Sequence, residues 1–149
     1  ERYLQSHPLE NIEFYYVDIP SFYKKIFKGF MYSGRLSVWN KRAFPFAKKI
    51  CADKRIDVIH QITPIEFRAI GDYGKIANVK FVCGPLGGGE SLPNGLKDYA
   101  KGHKIIEVVR SGINLWYRFN LRTTGKLNRC DYIMFANKET QEFLVGGQN

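Results

Sequence analysis

Val79-Lys80-Phe81-Val82-Cys83-Gly84-Pro85-Leu86-Gly87-Gly88-Gly89-Glu90 joins a short apolar run to three consecutive glycines. The run Val79 to Cys83 has the length and β-branched character of a buried strand. Each glycine costs roughly 0.5–1 kcal/mol relative to alanine in ordered structure, so three together serve backbone geometry. At the carboxyl end of a strand, such a run lets main-chain N–H groups approach an anion or a sugar. The plainer reading, a flexible connection between a strand and a helix, is equally compatible with the glycines alone.

Working outward, short apolar segments alternate with helical patterns. Upstream, Ile56 to Ile62 (IDVIHQI) reads as a strand ended by Thr63-Pro64. Asn11 to Ile19 (NIEFYYVDI), closed by Pro20, reads as an earlier strand. Ser21 to Tyr32 is a loop or a brief helix, and Ser33 is placed to cap a helix running to about Asp53. Leu36, Trp39, Ala43, Phe46, Ala47 and Ile50 form its apolar stripe, and Pro45 is expected to kink or split it. Ile65 to Ala77 predicts a weak helix broken near Gly71 and Gly74. Downstream, a long helical pattern covers Leu96 to about Leu121, with Ile105, Ile106, Val109, Ile113, Trp116 and Tyr117 as its apolar side. Tyr132 to Ala136 is a further strand, and Lys138 to Val145 a last helix.

This order predicts an α/β fold: a parallel sheet, doubly wound and Rossmann-like, with helices on both faces. In such sheets ligands bind at the carboxyl ends of the strands. His60, Thr63 and the run Gly87 to Glu90 are therefore expected to face one crevice.

Composition narrows the class. The chain has 149 residues, 44% apolar and 25% charged, enough for a packed core. No apolar run approaches about 18 residues, so no membrane-spanning helix is predicted. Cys51, Cys83 and Cys130 are far apart and without CxxC spacing, which suits reduced thiols in the cytoplasm. With His7, His60 and His103 as the imidazoles, no zinc spacing exists and no metal is expected.

The net charge is +9, and between Ser21 and Ile50 stand eight Lys/Arg and no acidic residue. Eight aromatic residues interleave with them. This suits an anionic membrane surface at roughly 1 kcal/mol per basic residue near the headgroups. Lys24, Lys25, Lys28, Trp39, Lys41 and Arg42 are the candidates to face it. The plainer alternative packs Trp39 and Phe46 on the sheet and leaves the lysines in water. A nucleic-acid module also fits clustered cations and aromatics, but no RNP, KH or helix-turn-helix pattern is present. An NAD fingerprint needs G-x-G-x-x-G after the first strand, which neither the place nor the spacing of these glycines provides.

The pairing of "DVIHQIT" (Asp57 to Thr63) with "GPLGGGE" (Gly84 to Glu90), behind the basic aromatic stretch Arg35 to His60, resembles the amino-terminal domain of family 4 glycosyltransferases of the GT-B fold. The resemblance covers roughly Ser33 to Asn137. It implies retaining transfer of a sugar from a nucleotide-sugar donor to a glycan or lipid-linked acceptor, without another cofactor. It also implies that this chain is the acceptor side of an inter-domain cleft. The first strand with its glycine-rich loop and the donor domain with its E-x7-E motif are then expected to lie outside it, leaving the piece inactive alone. Under the resemblance His60 touches a sugar hydroxyl or a phosphate oxygen, the plainer reading being a half-buried histidine bonded to a neighbouring backbone group, and Gly87, Gly88 and Gly89 line the cleft. Glu90 either accepts from sugar hydroxyls or caps the following turn, and Thr63 reaches the same crevice or merely forms a turn. The expected location is cytoplasmic, with the inner face of the membrane as a candidate docking surface; nucleic acid is not the expected partner, and a basic nucleic-acid- or membrane-binding module without enzymatic activity is the alternative.

Overall fold

The computed structural model describes residues 11–27, 32–90 and 104–146. Lys28 and the amino-terminal part of the long helical pattern, Leu96 to His103, lie outside the described residues, as does His7. The elements run α1 (Ser21–Ile26), α2 (Tyr32–Asp53), β1 (Val58–Gln61), β2 (Lys80–Leu86), α3 (Lys104–Thr123), β3 (Tyr132–Phe135) and α4 (Lys138–Val145). Short 3-10 turns at Phe67–Ala69, Tyr73–Lys75 and Leu127–Arg129 punctuate the connections.

The strands form a parallel sheet in the order β1-β2-β3. Parallel pairing sets Ile59 beside Phe81 and Gln61 beside Cys83, and Cys83 beside Ile133. Side chains in register share a face, so these residues define the packed side. Phe81, Cys83 and Leu86 are buried there against Phe67, Tyr73 and Ile76 from the β1–β2 connection, Ala43 of α2, Leu121 of α3 and Leu144 of α4. Tyr73 meets Phe81 edge-on at 5.7 Å between ring centroids, and Phe67 meets Phe143 at the same distance.

The opposite side carries Val58, His60, Tyr132 and Met134, all exposed. The expectation of helices on both faces is therefore corrected for the described residues: every helix that reaches the core packs on one face. The chain is mixed α/β with a small parallel sheet, covered on one side by the described residues.

β2 carries an irregularity. Cys83 pairs with Ile133 but Leu86, three residues on, pairs with Phe135, two residues on. One extra residue is thus accommodated at Gly84-Pro85, a β-bulge. Gly84 has φ 125°, and a Cβ there would stand 2.3 Å from the Met134 carbonyl oxygen, so only glycine fits.

Other expectations are revised. The strand expected over Asn11 to Ile19 does not form: these residues join no sheet, and the segment lies along α2, where Trp39 Nε1 donates to the Val17 carbonyl at 2.9 Å. Arg42 Nε donates to the Asp18 carbonyl at 2.9 Å. Ser33 does not cap α2 but sits buried in its first turn, donating to Glu66 Oε1 at 3.0 Å. Pro45 neither ends nor splits α2. Both Pro45 and Lys41 are exposed, so the carbonyl that loses its partner faces water.

The helix expected over Ile65 to Ala77 is replaced by the two 3-10 turns. Buried amides hold them: Asn40 Nδ2 and Gln61 Nε2 both donate to the Ala69 carbonyl, at 2.7 and 3.0 Å. Gly71 N–H in turn donates to Gln61 Oε1 at 2.9 Å. The Tyr73 hydroxyl donates to Asn40 Oδ1 at 3.0 Å, and burial pushes its pKa up to about 12. Side-chain amides thus supply the partners that a helix would have drawn from its own backbone.

Candidate functional site

The sequence motifs meet at the carboxyl ends of β1 and β2. His60 Nε2 donates to the Gly84 carbonyl at 3.0 Å, across from its register partner Val82. A carbonyl only accepts, so in the neutral ring Nδ1 is the lone pair left over. His60 stands on the open side of the sheet and is exposed.

The glycine run turns the other way. Gly87 N–H donates to the Ile65 carbonyl at 2.8 Å and Phe67 N–H to the Gly87 carbonyl at 3.1 Å, extending the sheet by one parallel bridge to Glu66. Gly88, at φ 91°, donates to Glu90 Oε1 at 3.3 Å. Gly89 N–H donates to Thr140 Oγ1 at 3.2 Å, and a Cβ at Gly89 would press within 3.0 Å of Thr140 Cα. All three glycine N–H groups are therefore engaged inside the protein. The charge that this run cradles is its own, the Glu90 carboxylate.

Asn137 Nδ2 also donates to Glu90 Oε1, while Asn137 Oδ1 accepts from Thr140 N–H at 2.8 Å as the N-cap of α4. Burial alone would raise the Glu90 pKa. Hydrogen bonds from its own backbone, Asn137 and Gly88 outweigh it and hold the carboxyl below its ordinary value. From α3, Asn114 Nδ2 donates to the Gly88 carbonyl at 3.3 Å and Arg110 to the Glu90 carbonyl at 3.4 Å.

Gly89 and Glu90 open on a groove of about 410 Å³, whose other walls include Ser111, Asn114, Glu139 and Glu142. Thr63 lines a different groove, of about 320 Å³, with Asp18, Lys24, Arg35 and Trp39. The grooves so described do not join His60, Thr63 and the glycine run in one crevice. His60 lies on the open side, and the other two border separate grooves.

The basic segment does not present one surface either. Trp39 is half-buried against the core, and Arg42 and Lys24 turn back to Asp18, the latter at 2.7 Å. Lys25 is exposed on α1, and Lys41 is exposed and lines a third groove, between α2 and α3. Asn114, Asn137, Thr140 and Arg110 were not singled out in the sequence. For Asn137 a signal exists, an asparagine directly before a helical pattern with Thr140 three residues on.

Cys83 is buried, Cys51 and Cys130 are partly so, and all three are free thiols. Among the described residues no group of His, Cys, Asp and Glu could hold a metal ion, and no helix is long and apolar enough to cross a membrane. No protein-family model, no curated protein and no solved structure matches this chain.

Proposed function

We infer that this chain is the acceptor-holding half of a retaining glycosyltransferase, with the Rossmann-like sheet of a GT-B enzyme. One observation supports this above the others: the glycine run spends its N–H groups internally, beside a groove of carboxylates, an amide and a hydroxyl. Glu90, Glu139 and Glu142 repel a phosphate, yet they accept hydrogen bonds from neutral hydroxyls, and Asn114 and Ser111 can donate or accept. Such a lining suits a glycan or the sugar of a lipid-linked acceptor. The nucleotide-sugar donor then belongs to a second domain, and transfer needs both.

His60, fixed by Gly84, presents Nδ1 on the open side of the sheet, where a donor or acceptor hydroxyl can be received. No side-chain base is required of it. The setting is the cytoplasmic face of a membrane, where lipid-linked acceptors are available.

Two measurements test the reading. The protein expressed from the whole reading frame should carry an E-x7-E motif about 100–150 residues downstream, in a second domain-sized segment. It should also transfer label from a nucleotide-sugar. Titrating the 15N-labelled chain with neutral oligosaccharides should move the Gly88, Gly89 and Asn114 amides, whereas uridine diphosphate should leave them in place. A downstream sequence without that motif, or a groove that answers to the diphosphate and not to sugars, overturns it.

A further inference from the structure

Helix α3 is turned inside out. The side facing the protein carries Arg110, Asn114, Tyr117 and Leu121. The side facing water carries Ile105, Val108, Leu115, Trp116 and Phe119, with Ile105 81%, Val108 71% and Phe119 67% exposed. At a period of 3.6 residues these positions fall, with Val109 and Gly112, on an arc of about 120°. From Ile105 to Phe119 the strip is about 21 Å long. Nothing stands within 4 Å of where a Gly112 Cβ would be, so the strip is open along its middle. An apolar face this long, with a tryptophan and a phenylalanine on it, is exceptional for water-facing surface.

The two edges of the strip differ in charge. Beside Trp116 opens the groove between α2 and α3, about 400 Å³, whose walls bring together Lys41, Arg68, Lys75 and Lys126, with Arg68 paired to Glu66 and Lys75 and Lys126 to Asp72. Beside Leu115 stand Glu139 and Glu142. The wide apolar arc, its aromatic members and one cationic edge are the attributes of a helix lying in a membrane interface.

We propose that α3 docks this protein on an anionic lipid surface. The strip sinks into the boundary between headgroups and acyl chains, and the molecule is rolled so that the basic groove meets the lipid phosphates. The Glu139–Glu142 edge stays in water. A second copy of the chain is the poorer occupant, because each copy carries a net charge of +9 and pairing works against that repulsion. Exposure and charge alone carry this docking, so it stands or falls independently of the transferase reading.

The test is flotation with vesicles of equal parts phosphatidylglycerol and phosphatidylcholine, against phosphatidylcholine alone. Binding is expected to the mixed vesicles and to weaken as salt rises. With Trp39→Phe, Trp116 becomes the sole tryptophan, and its emission should shift to the blue and be quenched by lipids brominated on the acyl chain. Val108→Glu with Phe119→Glu should weaken partition roughly a hundredfold, and Lys41→Glu roughly tenfold. Circular dichroism checks that the variants keep their helices. If they do not, bromolipid quenching of Trp116 in the Trp39→Phe chain decides by itself. Absence of flotation at low salt, binding without Trp116 quenching, or a dimer in sedimentation equilibrium that the strip variant dissociates would overturn the proposal.

Discussion

Across the open side of the sheet, the His60 imidazole donates from Nε2 to the Gly84 carbonyl at 3.0 Å, tying the end of β1 to the bulge of β2. One hydrogen bond thus joins the two motifs that sequence alone places 24 residues apart. It fixes the ring while leaving it exposed. His60→Ala should therefore cost about 1 kcal/mol of stability or less in urea denaturation. Under the transferase proposal, the protein from the whole reading frame should lose roughly ten- to a hundredfold of its sugar transfer in the same variant. A loss of stability with transfer unchanged would reduce His60 to a strap.

Asn40 and Tyr73 should behave as one unit. Asn40→Ala removes a donor from the Ala69 carbonyl and strands the buried Tyr73 hydroxyl, at a cost of about 1–3 kcal/mol. Tyr73→Phe alone should cost less, about 1 kcal/mol, and the double variant should fall short of the sum. Urea denaturation of the four proteins reads the coupling directly.

Two glycines make an opposed pair. A Cβ at Gly74 would stand 2.1 Å from the Arg129 carbonyl oxygen, whereas one at Gly112, inside α3, meets nothing within 4 Å. Gly74→Ala should therefore destabilise by about 1–3 kcal/mol, since the obstruction is backbone. Gly112→Ala should stabilise by about 0.5–1 kcal/mol through helix propensity. Thermal denaturation should move in opposite directions for the two.

Acid should loosen the molecule through two carboxylates. Burial would raise Asp72, but Lys126, Lys75 and Arg129 outweigh it and hold its pKa below the ordinary 3.8. Glu90 is likewise held below 4.5. A carboxyl lowered in the folded state lends stability that is fully present above its unfolded pKa and lost as pH falls through the folded one. The urea midpoint should then be nearly level from neutrality to about pH 5 and decline below the ordinary carboxylate range. Asp72→Asn should flatten part of that decline at the expense of stability at neutral pH.

Much of the fold is legible in the sequence because periodicity and burial agree. Ile56 to Ile62, Val79 to Cys83 and Tyr132 to Ala136 are short apolar runs bounded by breakers, and each holds most of a strand. Lys138 to Val145 is a helix over the expected span. The failures share a cause in tertiary context. Phe14, Tyr15 and Tyr16 have strand propensity, but a strand needs a ladder partner and these remain exposed. Ile65 to Ala77 has helical spacing, but amides from Asn40 and Gln61, remote in sequence, capture its backbone. On α3 the expected stripe divides: Ile105, Val109 and Trp116 lie on the side in water with Val108, Leu115 and Phe119, whereas Tyr117 packs on the core. Sequence shows that Ile105 and Trp116 share a face, while only the structure places that face in water. The same limit applies to the candidate site, where Glu90 is legible beside its glycines but Asn114 and Arg110 arrive from another element.

A strand keeps count by twos, and β2 miscounts once. Because Gly84-Pro85 adds a residue, every position after it changes parity, and Leu86 joins Cys83 on the packed side although the two differ by an odd number. Strict alternation would send Leu86 outward with His60 and direct Gly87 away from Ile65. The first glycine of the motif is then an odd-even converter that readdresses the sheet residues behind it, Leu86 and Gly87. A single-residue deletion at Gly84 would scramble those addresses more thoroughly than any substitution within Gly87 to Glu90.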